Sequence, residues 1–171
     1  MNMTVKILTH EDAKELFSFE NENRTYFERM VPSRGEEYYQ LDTFLRRHEE
    51  LLAEQDQGLS YFYLIRDQNG EILGRVNVVD IDRWEKRGAI GYRVGERHIG
   101  KGVAKKALRI LLDDLRKKGF TQILGKTTTN NVGSQKVLEK NRFQKVEDSD
   151  EEFVMNGDKV RFVHYVWISS V

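Results

Sequence analysis

Cysteine is absent from the 171 residues, which removes disulfides, cysteine metal sites and a thiol nucleophile at once. Proline occurs once, at Pro32, and no Pro-, Gly- or Ser-rich stretch or repeat marks a linker, so one domain over residues 1–171 is expected. Neither sign of charge is in excess: 28 Lys and Arg balance 28 Asp and Glu, which gives no general pull toward nucleic acid or an acidic membrane. No apolar run approaches the ~18 residues of a membrane span. The N-terminal "MNMTVKILTHEDAKEL" carries charges where a secretory signal needs an apolar core. The expectation is a soluble, cytoplasmic chain without metal, membrane or nucleic-acid partners; a homodimer is left open.

What is present reads as a mixed α/β domain. "TVKIL" is a short strand, and Thr9 with Asp12 forms a T-x-x-D capping box that opens a helix through about Glu28. Ser33 and Glu36 form a second box, opening a helix with Phe44, Leu45, Leu51 and Leu52 that ends near Gly58. "SYFYLIRD", an Asn69-Gly70 turn, "EILGRVNVVDID" and "GAIGYRVG" follow as strands. A helix from Gly102 to Gly119 carries the stripe Ala104, Ala107, Leu108, Leu111 and Leu115. "TQILGKTTT" is a strand and "NNVGSQKVLEKN" a short helix. The rest reads as two strands with Asn156-Gly157 between them. The order is β-α-α-β-β-β-α-β-α-β-β, with residues 89–128 forming a right-handed parallel crossover.

The chemistry concentrates in "ERHIGKGVAKKALRILLDDL", Glu96 to Leu115. Gly100 and Gly102 stand at a helix mouth, where the first backbone N–H groups lack internal acceptors and the helix dipole adds positive charge. Without Cβ atoms, the glycines let a bulky anion approach the backbone, and successive N–H groups form an anion nest. Arg97, His98 and Lys101 can add charge. A strand-to-helix turn without a ligand is the plainer alternative. Gly95 to Gly102 also fits G-x-x-x-x-G-K, but Gly102 stands where a phosphate-binding P-loop needs Ser or Thr for Mg²⁺, and "TQILGKTTT" has no terminal Asp.

"RHIGKGVA", Arg97 to Ala104, resembles the R/Q-x-x-G-x-G/A signature of the GCN5-related N-acetyltransferase (GNAT) superfamily. "GAIGYRV", "NVGS" (Asn131 to Ser134), "VLEKNRF" and "GRVNVVDID" are similar to further family segments, in the family's order across the chain. Together they resemble the branch that acetylates amino-termini of ribosomal proteins. The resemblance implies a central, mostly antiparallel sheet with a splayed parallel pair and about four helices. It implies acetyl-CoA as co-substrate, without metal, and a primary amine as acceptor: a protein or peptide N-terminus or a small molecule. An acyl-CoA-binding module without catalysis is the alternative.

By the same resemblance, the pyrophosphate would sit on Arg97, His98, Ile99, Gly100, Lys101, Gly102, Val103 and Ala104. The pantetheine arm would run along Tyr92 to Val94, and Asn131 would bond to it or, in a catalytic role, order a water near the thioester. A backbone N–H of Tyr92–Val94 would stabilise the oxyanion. Many relatives protonate the leaving thiolate with a tyrosine on the short helix, but that position is Leu138; Ser134 is the candidate, unless it merely bonds its own helix backbone. The branch's usual carboxylate base falls at Ala89, leaving a water chain, Glu20, Glu22 or His164. Arg142 replaces the family's glycine in K-x-G-F. Tyr26, Phe27 and Tyr39 either line the acceptor side or pack in the core, and the acidic run Glu147 to Phe153 either attracts a cationic amine or is a solvated turn.

Overall fold

The structure is a computed structural model that describes residues 2–148 and 151–170, with the backbone alone at 147 and 148. The strands are β1 (Met3–Ile7), β2 (Tyr61–Asp67), β3 (Ile72–Asp82), β4 (Arg87–Val94), β5 (Gln122–Thr128), β6 (Gln144–Asp148), β7 (Phe153–Met155), β8 (Asp158–Val160) and β9 (Phe162–Ile168). The helices are α1 (Ala13–Glu22), α2 (Arg24–Met30), α3 (Leu41–Asp56), α4 (Val103–Lys117) and α5 (Val132–Lys140). Seven strands form one sheet in the order β1-β2-β3-β4-β5-β9-β6. Every pairing in it is antiparallel except β4–β5, which is parallel. Among the described residues no helix is long and apolar enough to cross a membrane.

Strand alternation distributes side chains to two faces. On one face Tyr63, Ile65, Val76, Val78 and Ile90 meet the stripe of α4, where Val103, Ala107, Leu108, Leu111, Leu112 and Leu115 are buried. Each such buried Leu contributes roughly 1.5–3 kcal/mol of transfer free energy. On the other face Phe62, Leu64 and Ile72 pack with Leu16, Phe19, Phe27 and Phe44 of α1 to α3. Gly119 ends α4 at φ 90°, with the Phe120 N–H bonded to Leu115 O, a left-handed stop that glycine supplies without steric penalty.

Three elements depart from the sequence reading. The first helix breaks at Asn23, because the Asn23 amide caps Phe19 O (2.8 Å) while its oxygen accepts the Glu96 N–H (2.8 Å). That tertiary contact makes five helices of an expected four. The Ser33–Glu36 box does not form. Gly35 turns the chain at φ 88°, Ser33 Oγ donates to Glu28, and Glu36 is drawn to Arg24 at 2.6 Å. A one-turn 3₁₀ segment follows and α3 starts at Leu41. Lastly, Asn156-Gly157 does not join two long strands. Both residues have positive φ, as a tight hairpin turn requires, and they close a separate small hairpin, β7–β8. The long strands β6 and β9 pair with each other around it. The acidic run Glu147 to Phe153 lies partly outside the described residues.

Arg142 sits at φ 68°, a left-handed conformation that costs an L-residue about 1–2 kcal/mol. Arg142→Gly is expected to stabilise the protein by roughly 0.5–1 kcal/mol, because relieved strain outweighs the added freedom of the unfolded chain. Urea denaturation with an unchanged slope reads the gain; a lower midpoint would refute the strain.

Candidate active site

The parallel pair is laddered over four residues only, from Arg87–Gln122 to Ile90–Gly125. Beyond it β4 follows β3, reaching Val94 opposite Gly74, while β5 follows β9, reaching Thr128 opposite Phe162. The two strands therefore diverge. The Gly95 N–H bonds Leu73 O across β3 at 2.8 Å, so alternation turns the polar backbone groups of Tyr92 and Val94 away from β3 and into the wedge. The wedge opens into a cleft of about 300 Å³ whose lining includes Tyr92, Arg93, Thr127, Asn131 and Ser134. Gly125 shapes its wall: a Cβ there would press on Leu138 of α5 at 3.1 Å.

At the mouth, Glu96–His98 make a single 3₁₀ turn and Gly102 caps α4 in the left-handed conformation (φ 77°). Gly100 also has positive φ (73°), and Cβ atoms built on either glycine would meet nothing within 4 Å. Gly100 to Ala104 lie at the start of α4, where the first N–H groups have no acceptor within the helix and no side chain caps them. Val103 itself is buried in the core and contributes only its backbone; Ile99 and Lys101 are exposed. The side chains of Arg97 and His98 turn to a smaller groove beside α1, where Arg97 pairs with Glu71 at 2.8 Å and Glu22 at 3.5 Å.

Inside the cleft the structure brings Tyr92 and Ser134 together. The Tyr92 hydroxyl lies 2.8 Å from Ser134 Oγ and 3.2 Å from Ser134 O. Asn131 caps α5 by accepting the Ser134 N–H at 3.1 Å, which leaves the serine hydroxyl available to Tyr92. Burial raises the Tyr92 phenol to about 12, with the Ser134 bond opposing the rise. It stays protonated at any physiological pH and is a proton donor, not a base. The sequence showed no tyrosine on α5; the phenol comes from β4 instead, and nothing in the spacing of Tyr92 and Ser134 reveals that they meet.

The opposite wall is cationic. Arg34, Arg75, Arg93 and Lys126 line it with Asn77. Behind them Glu20, 0 % exposed, holds Arg75 at 2.6 Å and Arg93 at 3.2 Å. Burial pushes the Glu20 carboxyl up, but Arg75, Arg93 and Arg34 outweigh it and hold the group below the ordinary value. An ionised, doubly paired carboxylate takes no proton. Glu22 pairs with Arg97, and His164 on β9 lies outside the cleft lining. Phe27 stacks under Arg93 at 4.5 Å and Tyr39 under Arg24 at 4.2 Å; both are buried. Tyr26 packs beside Phe27. The sequence reading missed the cationic wall; the signal that could have found it is Arg75 and Asn77, which interrupt an apolar strand two residues apart, on one face.

Comparison with known proteins agrees with this geometry. A family model described as an acetyltransferase (GNAT) domain matches residues 2–144. A probable N-acetyltransferase of Bacillus subtilis, YjcK, is 28 % identical over 156 residues, covering 90 % of this chain and 86 % of that protein. The fold is similar to that of a ribosomal-protein-S5-alanine acetyltransferase from Vibrio fischeri (TM-score 0.89, 21 % identity, 98 % of this chain and 93 % of that one). It is also similar to RimL, a ribosomal L7/L12 acetyltransferase solved with coenzyme A (TM-score 0.88, 19 % identity, 98 % and 94 %). A splayed parallel pair, a donor-lined helix mouth and this match over most of the chain place the protein in the GNAT family as an N-acetyltransferase.

Proposed function

We propose that the chain carries the acetyl group of acetyl-CoA to a primary amine by direct attack of the amine on the thioester. The observation that carries this reading is the wedge, which is open where a linear acyl carrier needs hydrogen-bonding backbone and is flanked at its mouth by uncapped amides. Gly100 to Ala104 fit the pyrophosphate, with Lys101 beside them; Arg97 and His98, turned to the neighbouring groove, support the loop from behind. Tyr92 and Val94 offer strand backbone to the pantetheine arm, and Asn131 borders it at the start of α5. Coenzyme A supplies an activated thioester; the chain orients it and excludes water. The backbone N–H groups in the wedge favour negative charge developing on the thioester oxygen. Ser134, backed by the Tyr92 hydroxyl, passes a proton to the departing sulfur and takes one back as the attacking nitrogen sheds its proton on forming the amide, so the hydroxyl is restored.

The test is release of free CoA from acetyl-CoA across a broad panel of amines and peptides, read with a thiol-reactive dye. The protein has no cysteine, so the dye reports the product alone. Tight acetyl-CoA binding without release for any amine would favour the binding module. Gly102→Val is expected to weaken acetyl-CoA binding at least tenfold, about 1.4 kcal/mol, because a β-branched residue resists the left-handed conformation and crowds the amides. Unchanged affinity in calorimetry would count against the nest.

A further inference from the structure

We infer that the acceptor is a small amine that carries its own anionic group, a carboxylate or phosphonate a few bonds from the nitrogen; this rests on the acetyl-transfer reading above. The wall of the cleft opposite Tyr92 presents Arg34, Arg75, Arg93 and Lys126, and among the described lining residues there is no Asp or Glu. Glu20 is the one carboxylate paired with the two inner guanidiniums. Two buried positive charges thus share one negative charge. Uncompensated charge in a desolvated site is unfavourable unless a counter-ion arrives. The Arg75 side chain is only 5 % exposed, and its Nε is buried without a hydrogen-bond partner among the described residues. Arg34 stands at the outer edge, its guanidinium 4.9 Å from the Tyr38 ring centroid, and has no carboxylate of its own among the described residues.

A second orphan points the same way. Asn77 Oδ1 is buried without a partner, lines the same cleft, and needs a donor. Asn77 lies two residues from Arg75 on one strand face and opposite Gly91 of β4. An amine that donates to Asn77 while its anion meets the guanidiniums spans about one strand repeat, roughly 6–7 Å. The same cations disfavour an ammonium beside them, so the acceptor nitrogen is held neutral and nucleophilic although Ala89 stands where a carboxylate base would be. A polyamine has no group for this wall and meets only repulsion.

The experiment compares matched acceptors with the whole protein and acetyl-CoA: glycine, β-alanine and 4-aminobutyrate, their amides, 2-aminoethylphosphonate and spermidine. CoA release and product mass are followed. At least one anionic amine is expected to exceed its neutral counterpart, and spermidine, about tenfold or more in kcat/KM. The carboxylate and phosphonate arms tell the two anions apart. Arg34→Gln is expected to erase about tenfold of that preference through KM, with acetyl-CoA affinity unchanged in calorimetry. Amides or spermidine used as well as the anionic amines, or no anionic amine turned over while acetyl-CoA binds, would overturn the inference. Failure to bind acetyl-CoA would overturn the acetyl-transfer reading with it.

Discussion

Glu20→Ala is expected to lower stability by about 3–5 kcal/mol, the loss seen when one partner of a buried charge pair is removed. The carboxylate is fully buried and bonds Arg75 at 2.6 Å and Arg93 at 3.2 Å. Without it two guanidiniums remain desolvated and face each other. In a chain of this size the midpoint of thermal unfolding should fall by roughly 6–20 °C. Glu20→Gln keeps the shape and one acceptor and should fall between the two. The pH dependence has a definite sign. The folded carboxyl is held below its ordinary value of 4.5 by Arg75, Arg93 and Arg34, against the upward push of burial. A lowered folded-state value means that the contribution is complete above about 4.5 and is lost as pH falls through the folded value. Wild-type stability should therefore decline more steeply than that of Glu20→Ala on acidification below pH 4.5. Urea melts at several pH values give both quantities; parallel curves, or a loss under about 1 kcal/mol, would show that the cluster is not anchored by this carboxylate.

Ser134→Ala is expected to lower kcat by about 10²-fold or more, the usual contribution of a positioned proton donor. Tyr92→Phe should do nearly as much, because the phenol sits 2.8 Å from Ser134 Oγ. If Tyr92 gives its proton to Ser134 Oγ, the serine's own proton points to the cleft. The two groups then act as a unit, so the double variant should be little worse than either single one. Acetyl-CoA affinity should be retained in all three. Since burial lifts the phenol to about 12, no fall in rate from Tyr92 ionisation is expected up to about pH 10. Additive losses in the double variant would separate the two residues; losses under about threefold in both single variants would assign the donor elsewhere.

The sequence announced the glycine loop, the α4 stripe, the Asn69-Gly70 turn and the crossover, because each rests on local periodicity or on a residue that only one backbone conformation suits. Gly102 and Gly119 reach positive φ at the two ends of the helix they were expected to bound. What stayed hidden depends on partners distant in the chain. The break at Asn23 is made by Glu96, 73 residues on. The Ser33–Glu36 box is a sound local pattern overridden when Glu36 finds Arg24 across a turn that Gly35 makes. At the cleft, Asn131 and Ser134 were singled out by their likeness to the family's N-x-x-S, whereas the pairing of Ser134 with Tyr92 spans 42 residues. Glu20 was weighed as a base; its arginines, 55 and 73 residues away, make it a structural anion.

The short β4–β5 ladder has a consequence for how the molecule resists unfolding. Four rungs join the β1–β4 half of the sheet to the β5–β9–β6 half, and past Ile90 the halves touch only through what fills the space between them. Cohesion there falls to the packing of α4 and α5 and to any occupant of the wedge. On the proposed function, a linear acyl donor seated there would serve as a missing strand as well as a reactant, and its binding would favour the folded state by mass action.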